Sequence, residues 1–263
     1  MIDSSLRVHL RNLLERDRVW AAYALADLDP RVEEHSQWLS NDSGVVLIYH
    51  GLDPAILFAQ GDPKDVRQLL DQVPPGRYIY QLMGTYKALL AERLGVEHEE
   101  HMWRMVLNTD EFPGVPAGRV DPLTTQDLPQ IEALFADHPD RPDAFHPNQL
   151  IEGPFYGIWE HGDLIAVSGT HVVSKWANVA AVGNVFTHPR HRGRGLGTRV
   201  SAALVQHLLD DGIHTIVLNV AMDNEPALRC YQKLAFLPFC GYYEGVGRLA
   251  PVQESSAGED IIE

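Results

Sequence analysis

The stretch that decides the fold runs from Val185 to Ala203 and reads Val-Phe-Thr-His-Pro-Arg-His-Arg-Gly-Arg-Gly-Leu-Gly-Thr-Arg-Val-Ser-Ala-Ala. An apolar, β-like segment ends there, a loop with three glycines in five residues follows, and an amphipathic helix begins at once. Glycines let backbone N–H groups approach a ligand closely. The start of a helix adds unpaired donors and a partial positive charge. The pattern therefore predicts a loop that binds a pyrophosphate.

The spacing of the loop narrows the choice of ligand. A Walker A loop needs Gly-Lys-Ser/Thr, which does not follow, and the dinucleotide fingerprint needs its last glycine one residue later. The pattern that fits is Arg-x-x-Gly-x-Gly at Arg192, Gly195 and Gly197. It resembles the coenzyme A loop of the Gcn5-related N-acetyltransferase (GNAT) superfamily. Taken alone, the same six residues also suit an ordinary glycine-rich turn with surface arginines.

A second block strengthens the resemblance. After a β-branched run that ends at Val220, the chain carries Asn-x-x-Ala-x-x-x-Tyr at Asn224, Ala227 and Tyr231, as GNAT proteins typically do. It departs from the family pattern at Ala235, where glycine is usual. The resemblance covers roughly residues 118–250 and implies an α/β fold. That fold is a mixed, mainly antiparallel sheet flanked by helices, whose parallel central strands splay apart to hold acyl-CoA.

The resemblance also assigns residues to the binding of acetyl-CoA, which serves as the acyl-donor substrate. They lie at the end of one strand, in the glycine-rich loop, on the next strand and at the start of the helix after it. These residues are Val185, Phe186, Thr187, Arg192, Gly193, Arg194, Gly195, Leu196, Gly197, Thr198, Asn219, Asn224 and Ala227. Asn224 followed by Glu-Pro is also a good helix N-cap, so a structural role for it stays open.

Two residues are candidates for the chemistry of acyl transfer. By resemblance, Tyr231 is the general acid for the coenzyme A thiolate, and we expect its pKa to lie below the ordinary value of about 10. Several relatives carry a glutamate base earlier on the strand before the loop, where this chain has Ala181. His171 is then a candidate base, because histidine titrates near neutrality. A core position for Tyr231, a strand position for His171 and a water chain as base are the alternatives.

The predicted activity is transfer of an acetyl group from acetyl-CoA to a primary amine by direct attack in a ternary complex. A glycine N-acyltransferase-like enzyme with another acyl donor or acceptor is the first alternative. A CoA-binding regulatory module without turnover is the second, and the missing glutamate favours it. Retention of Tyr231 argues against such a silent module.

At 263 residues the chain is long enough for two domains. We expect a linker at 113–118, an acyl-CoA-binding GNAT domain at 119–250 and an acidic, disordered tail at 251–263. Residues 1–112 are interpreted as a smaller, degenerate GNAT-like α+β half of a tandem-type protein, because no phosphate loop occurs there. Its expected elements are helices at 6–28, 63–72 and 86–94 and strands at 45–49, 55–59, 77–82 and 102–107.

Composition excludes several classes of partner. The chain has 36 acidic residues against 21 lysines and arginines, a net charge of −15, which disfavours nucleic-acid binding and mildly favours cationic substrates such as amines. Two cysteines form no disulfide framework, and no long apolar run or signal stretch occurs, so a cytoplasmic protein without a membrane partner is expected. His98-Glu99-Glu100-His101 has the wrong spacing for a zinc motif, so no metal is expected. The sequence leaves a homodimer open.

Overall fold

The structure is a computed structural model that describes residues 2–136, 138–142 and 144–252. The α-helices in this part of the chain are α1 (Ser4–Leu14), α2 (Ala22–Asp27), α3 (Pro63–Leu70), α4 (Gly84–Leu89), α5 (Leu128–Phe135), α6 (Gln149–Glu152), α7 (Leu196–Asp210) and α8 (Glu225–Gln232). The strands are β1 (Ser36–Ser40), β2 (Gly44–Tyr49), β3 (Ala55–Gly61), β4 (Gly76–Leu82), β5 (Leu94–Leu107), β6 (Asp121–Leu123), β7 (Phe155–Glu160), β8 (Asp163–Ser174), β9 (Val179–Thr187), β10 (Thr215–Ala221) and β11 (Phe236–Leu249). From position 253 onward, the tail predicted to be disordered lies outside the described residues.

The chain divides into two compact units that are discontinuous in sequence. The larger comprises residues 2–36 and 101–242, and the smaller comprises 37–100 and 243–252. The sequence analysis expected a single division in the linker at 113–118, whereas the unit boundaries fall at the start of β1, within β5 and within β11. The first 36 residues group with the C-terminal part because α2 packs on β8 and β9. The interpretation of residues 1–112 as a degenerate half stays a prediction.

The larger unit is built on strands in the order β5-β10-β9-β8-β7-β6. β9 and β10 run parallel, whereas the neighbouring pairs are antiparallel, so the expected mixed and mainly antiparallel sheet is confirmed. One face of the central strands packs on α7 and α8 in an apolar core that includes Val182, Leu204, Leu218, Tyr231 and Phe236. This burial drives the assembly, because each fully buried large apolar side chain contributes about 1.5–3 kcal/mol.

The pair Thr124 and Asp127 predicts a capping box, and His161-Gly162-Asp163 predicts a hairpin turn between strands at 155–160 and 164–173; the structure confirms both. Thr124 and Asp127 form a capping box, in which Asp127 accepts from the backbone N–H of Thr124 at 2.8 Å. β7 and β8 pair as an antiparallel hairpin, with His161 and Gly162 at the turn between them. Both turn residues have positive φ, of 53° and 96°, as tight hairpin turns require.

The smaller unit has strands in the order β1-β2-β3-β4-β11. β2 and β3 form the expected antiparallel pair, with Val45 opposite Gln60 and Tyr49 opposite Ile56. Its apolar core includes Val46, Leu57, Leu69, Tyr80 and Leu249. The helix expected at 86–94 ends at Leu89, and β5 begins at Leu94, well before the strand expected at 102–107.

The two parallel strands, β9 and β10, stop pairing before either strand ends. The pairing of β9 with β10 runs from Val179–Thr215 to Val182–Leu218, although the strands continue to Thr187 and Ala221. Asn184, two residues past the last pair, has a φ of +51° and lies where the register of β8 on β9 shifts. A bulge of this kind bends its strand and ends regular pairing. The predicted splay is therefore confirmed, and a local irregularity marks its origin.

Candidate active site

The glycine-rich loop leads into α7 in the expected way. Gly193 and Gly195 have φ values of +77° and +73°, and a Cβ at either position would meet no heavy atom within 4 Å. Gly195 is the N-cap of α7 and provides no side-chain hydrogen bond to the helix, whose first turn carries no acidic residue. The first N–H groups of a helix have no intrahelical partner. The backbone donors at Leu196, Gly197 and Thr198 therefore face an open, electropositive surface suited to an anion.

The two arginines of the loop are both held by acidic side chains. Arg192 donates from Nε to the carbonyl oxygen of Thr187 at 3.0 Å and forms an ion pair with Asp140. Arg194 forms an ion pair with Glu160 at 2.7 Å. Burial raises the pKa of Asp140, but the hydrogen bond from Arg192, a backbone hydrogen bond and the charges of Arg192 and His138 together lower it by more. The hydrogen bond from Arg194 lowers the pKa of Glu160. A phosphate that binds these guanidinium groups competes with carboxylates for them.

The end of β9 supplies backbone rather than side chains to the candidate site. The ring of Phe186 is buried and packs edge-to-face on Phe135, with ring centroids 5.7 Å apart. Leu196 is also buried, in an apolar cluster with Ile165 and Val200. The side chains of Phe186 and Leu196 are thus core components. The contact with acyl-CoA predicted for these two residues is left to their main-chain groups.

The helix α8 begins with its own cap. The side chain of Asn224 accepts a hydrogen bond from the backbone N–H of Ala227 at 3.2 Å. Pro226 occupies the first turn, so the structural role that the sequence left open for Asn224 is confirmed. α7 and α8 also meet through a hydrogen bond from Thr198 Oγ1 to Cys230 Sγ at 3.3 Å. Burial raises the pKa of that thiol, and both cysteines are free.

Tyr231 lies on α8 with 8% of its surface exposed and packs edge-to-face on Phe236. Burial raises the pKa of its phenol, with smaller contributions from Cys230 and Tyr23. The expectation of a lowered pKa is therefore wrong, because a buried phenol without a nearby cation favours its neutral form. The phenol keeps its proton at neutral pH and can donate it as a hydrogen bond.

His171 belongs to a polar cluster on the face of the sheet that α2 covers. Its Nδ1 lies 3.0 Å from the hydroxyl of Tyr23, and Asn219 Nδ2 donates to that hydroxyl at 3.4 Å. These three side chains are partly exposed. Asn219 stands one residue past Leu218, the last residue of β10 that pairs with β9. The cluster therefore lies where the parallel strands separate, and the phenols of Tyr23 and Tyr231 are close enough to interact electrostatically.

Gly183 on β9 explains how the ring of His171 is placed. A Cβ at Gly183 would lie 2.2 Å from His171 Nε2 and 2.3 Å from its Cδ2, so the imidazole fills the space that any other side chain would need. His171 falls between the paired residues Thr170 and Val172, where the register of β8 on β9 shifts. A bulge re-aims the side chain it carries. Glycine and bulge together hold the ring against β9.

Two residues of this cluster were missed by the sequence analysis. Tyr23 comes from α2, far from both motifs, and no local pattern distinguishes it from a core aromatic residue. Arg104 lies on β5 directly opposite Asn219 and is completely buried. A usable signal was present for Arg104, since a lone arginine interrupts the apolar run Met102-Trp103-Arg104-Met105-Val106-Leu107.

Among the described residues, no group of three or more His, Cys, Asp and Glu side chains is placed to hold a metal ion. The metal-free site stays a prediction. No helix in the described part of the chain is both long and apolar enough to cross a membrane.

Comparison with known proteins shows which families and folds the chain is similar to. The model of the acetyltransferase (GNAT) family matches residues 123–236. A mycothiol acetyltransferase from Paenarthrobacter aurescens is 30% identical over 176 residues, which are 57% of this chain and 53% of that protein. The chain thus spans about half the length of the curated relatives it matches.

Solved structures extend the likeness of fold over most of the chain. A GNAT-family protein from Novosphingobium aromaticivorans is 18% identical and has a TM-score of 0.63, covering 88% of this chain and 97% of that one. A tandem GNAT protein from the clavulanic acid biosynthesis pathway is 14% identical with a TM-score of 0.55, covering 93% and 95%. At these identities the comparisons show a shared fold.

Proposed function

We propose that the protein transfers an acetyl group from acetyl-CoA to a primary amine, because residues 123–236 match the model of the acetyltransferase (GNAT) family. The observation that carries the proposal is the open start of α7, next to the point where β9 and β10 separate. The name of the Paenarthrobacter relative supports acetyl as the group transferred. The protein's own activity, donor and acceptor are the content of this proposal.

In the proposed complex the pyrophosphate of the donor lies on the first turn of α7. The N–H groups of residues 196–198 and the guanidinium groups of Arg192 and Arg194 face it. Backbone groups near Val185 flank the pantetheine arm and polarise the thioester carbonyl. Oriented donors of this kind stabilise the oxyanion of the tetrahedral intermediate.

Two side chains handle the protons of the reaction. The neutral amine attacks the thioester carbon, forms the C–N bond and expels the coenzyme A thiolate as the C–S bond breaks. Tyr231, kept protonated by its burial, gives its proton to the departing sulfur and regains one from solvent. His171 accepts the proton that the amine loses, and Tyr23 and Gly183 fix its ring. The products are an N-acetyl amine and the free thiol.

The proposal is tested by measuring release of free coenzyme A thiol from acetyl-CoA across a panel of primary amines. Tyr231→Phe keeps the ring and its packing on Phe236 but removes the hydroxyl, so kcat should fall by roughly 10²–10⁴ with little change in CoA affinity. Because burial raises the pKa of Tyr231, the pH–rate profile should show no basic limb from this phenol in the ordinary working range.

The control is Tyr156→Phe, which also removes a phenol that contacts a histidine, at 3.0 Å from His207 Nδ1. That variant should turn over like the parent. Normal turnover in a folded Tyr231→Phe protein would contradict the acid role. Tight binding of CoA with no thiol release for any amine would favour the CoA-binding regulatory module over an enzyme.

A further inference from the structure

The most unusual side chain in the larger unit is Arg104. Its residue is 0% exposed, and its Nε, Nη1 and Nη2 atoms are buried without a hydrogen-bond partner among the described residues. Removing a charge from water without pairing it costs several kcal/mol. Buried arginines that serve structure alone are normally bonded. Arg18 in the same unit is half-buried and, by contrast, uses its terminal nitrogens: it donates to the carbonyl oxygen of Ala177 at 2.7 Å and to Thr215 Oγ1 at 3.0 Å.

Aromatic rings surround the guanidinium of Arg104. Its Cζ lies 4.6 Å from the ring centroid of Tyr23, 5.3 Å from that of Trp20 and 5.6 Å from that of Tyr242. Ring faces attract the cation, each by about 0.5–2 kcal/mol. They do not accept the in-plane N–H groups, whose fork matches a carboxylate. The enclosure therefore stabilises the charge and leaves its hydrogen-bonding edge unused.

An unpartnered acceptor stands beside these unpartnered donors. Asn219 lies opposite Arg104 in the antiparallel pairing of β10 with β5, and its Oδ1 is buried without a hydrogen-bond partner in the described part of the chain. Side chains opposite each other in such a pair share a face, with Cβ atoms about 4.5–5.5 Å apart. Asn219 Nδ2 is bonded to Tyr23, which fixes the amide so that Oδ1 is the free atom.

We infer that the acceptor is an amine with a neighbouring carboxylate, as in a free α-amino acid. This inference rests on the proposed acetyl transfer and names its substrate class. The carboxylate pairs with the guanidinium of Arg104, and the amine donates to Asn219 Oδ1, which places the nitrogen where β9 and β10 separate. Tyr23, His171 and Asn219 are partly exposed, so the acceptor enters past them.

The overall charge of the protein does not favour a carboxylate. With a net charge of −15, the chain as a whole attracts the ammonium end of an amino acid and repels its carboxylate end. A fixed positive group in a low-dielectric interior acts strongly at short range. Arg104 is thus a specificity-determining residue that selects amines carrying a carboxylate from those that carry none.

The test compares L-amino acids with their own carboxamides as acceptors, using L-alanine, L-methionine and L-phenylalanine with alaninamide, methioninamide and phenylalaninamide. The amides are less basic and so are the more available nucleophiles at neutral pH. A preference for the acids must therefore come from the protein. We expect kcat/KM to favour the acid of each pair at least tenfold. An equal or higher value for the amides would overturn the inference.

Variants of Arg104 test whether this residue is the source of the preference for acids over amides. Arg104→Gln should lower kcat/KM for the acids to the level of the amides while leaving the amides nearly unchanged, and Arg104→Lys should keep part of the preference. The matched control is Arg18→Gln, which removes a bonded arginine of the same unit and should not alter the ratio. An equal loss for acids and amides in Arg104→Gln would overturn the inference. If Arg104→Gln does not fold, Asn219→Asp places a negative charge beside the guanidinium and should depress the acids selectively.

Calorimetric titration of the same acceptors into the protein saturated with CoA separates the two proposals. Binding of L-amino acids that depends on Arg104, without any thiol release, would overturn acetyl transfer and leave the recognition site standing. Turnover of amines at the same kcat/KM with or without a carboxylate would overturn the recognition site and leave acetyl transfer standing.

Discussion

The helices α7 and α8 of the larger unit differ in how the unpaired N–H groups of their first turns are treated. At α8 the side chain of Asn224 bonds to the N–H of Ala227, and Glu225 adds negative charge to the first turn. At α7 the N-cap is a glycine with a left-handed backbone, no side chain caps the helix, and the first turn has no acidic residue. One start is completed from within the chain. The other leaves its donors without a side-chain cap, and in the proposed function these donors bind the pyrophosphate of the acyl donor.

The largest effect should come from a substitution that blocks the uncapped start of α7. Gly195→Glu puts a side chain and a negative charge beside the first turn of α7, where a Cβ meets no heavy atom within 4 Å. We expect affinity for CoA to fall at least tenfold, about 1.4 kcal/mol, by isothermal titration calorimetry.

Gly212→Glu is the matched control for this change. Gly212 follows the other end of α7, has a φ of +78° and is equally free of neighbours around a Cβ. It therefore carries the same backbone strain and the same added charge away from the loop. A folded Gly195→Glu protein that binds CoA like the Gly212→Glu control would show that α7 does not receive the pyrophosphate.

A smaller effect should come from the arginines of the loop. Arg192→Ala and Arg194→Ala each remove a phosphate ligand, but they also free Asp140 or Glu160 from an ion pair. The net loss is a difference between two partners, so we expect about a two- to tenfold loss of CoA affinity, larger at Arg192, the motif position. Calorimetry at two salt concentrations should show binding weakened by salt. Unchanged affinity in both variants would indicate a structural turn.

The smallest effect should come from removing the side-chain cap at the start of α8. Asn224→Ala removes the cap of α8 and should lower the free energy of unfolding by about 1 kcal/mol, measured by urea denaturation. Asn224→Asp retains a capping oxygen and should retain most of that stability. CoA affinity should change little in either variant. A loss of affinity without a loss of stability would move Asn224 from the structural role to a ligand contact.

Sequence alone predicted the features whose signals are local. The loop around Gly195, the cap at Asn224 and the hairpin at His161 each depend on a few adjacent residues, and each has the predicted geometry. The grouping of the first 36 residues with the C-terminal part depends on the packing of α2 on β8 and β9, which joins segments more than 100 residues apart, so no local pattern indicates it.

The candidate site also has one part that the sequence located and one part that it did not. The donor side lies on two contiguous motifs and could be located residue by residue, although its contacts with acyl-CoA remain predictions. The acceptor side gathers Tyr23, Arg104, His171 and Asn219 from four separate elements. Only the folded chain reveals that the guanidinium of Arg104 lacks a bonded partner in the described residues. The pKa of Tyr231 was predicted in the wrong direction because burial is a property of the tertiary structure.

The imidazole of His171 occupies the volume in which a side chain at position 183 would otherwise grow. The residues at positions 171 and 183 should therefore vary together in evolution. Any larger residue at 183 expels the ring, whereas loss of the ring removes the demand for glycine. Homologues that keep a histidine at 171 should keep glycine at 183, and those that replace the histidine with a smaller residue are free to vary both.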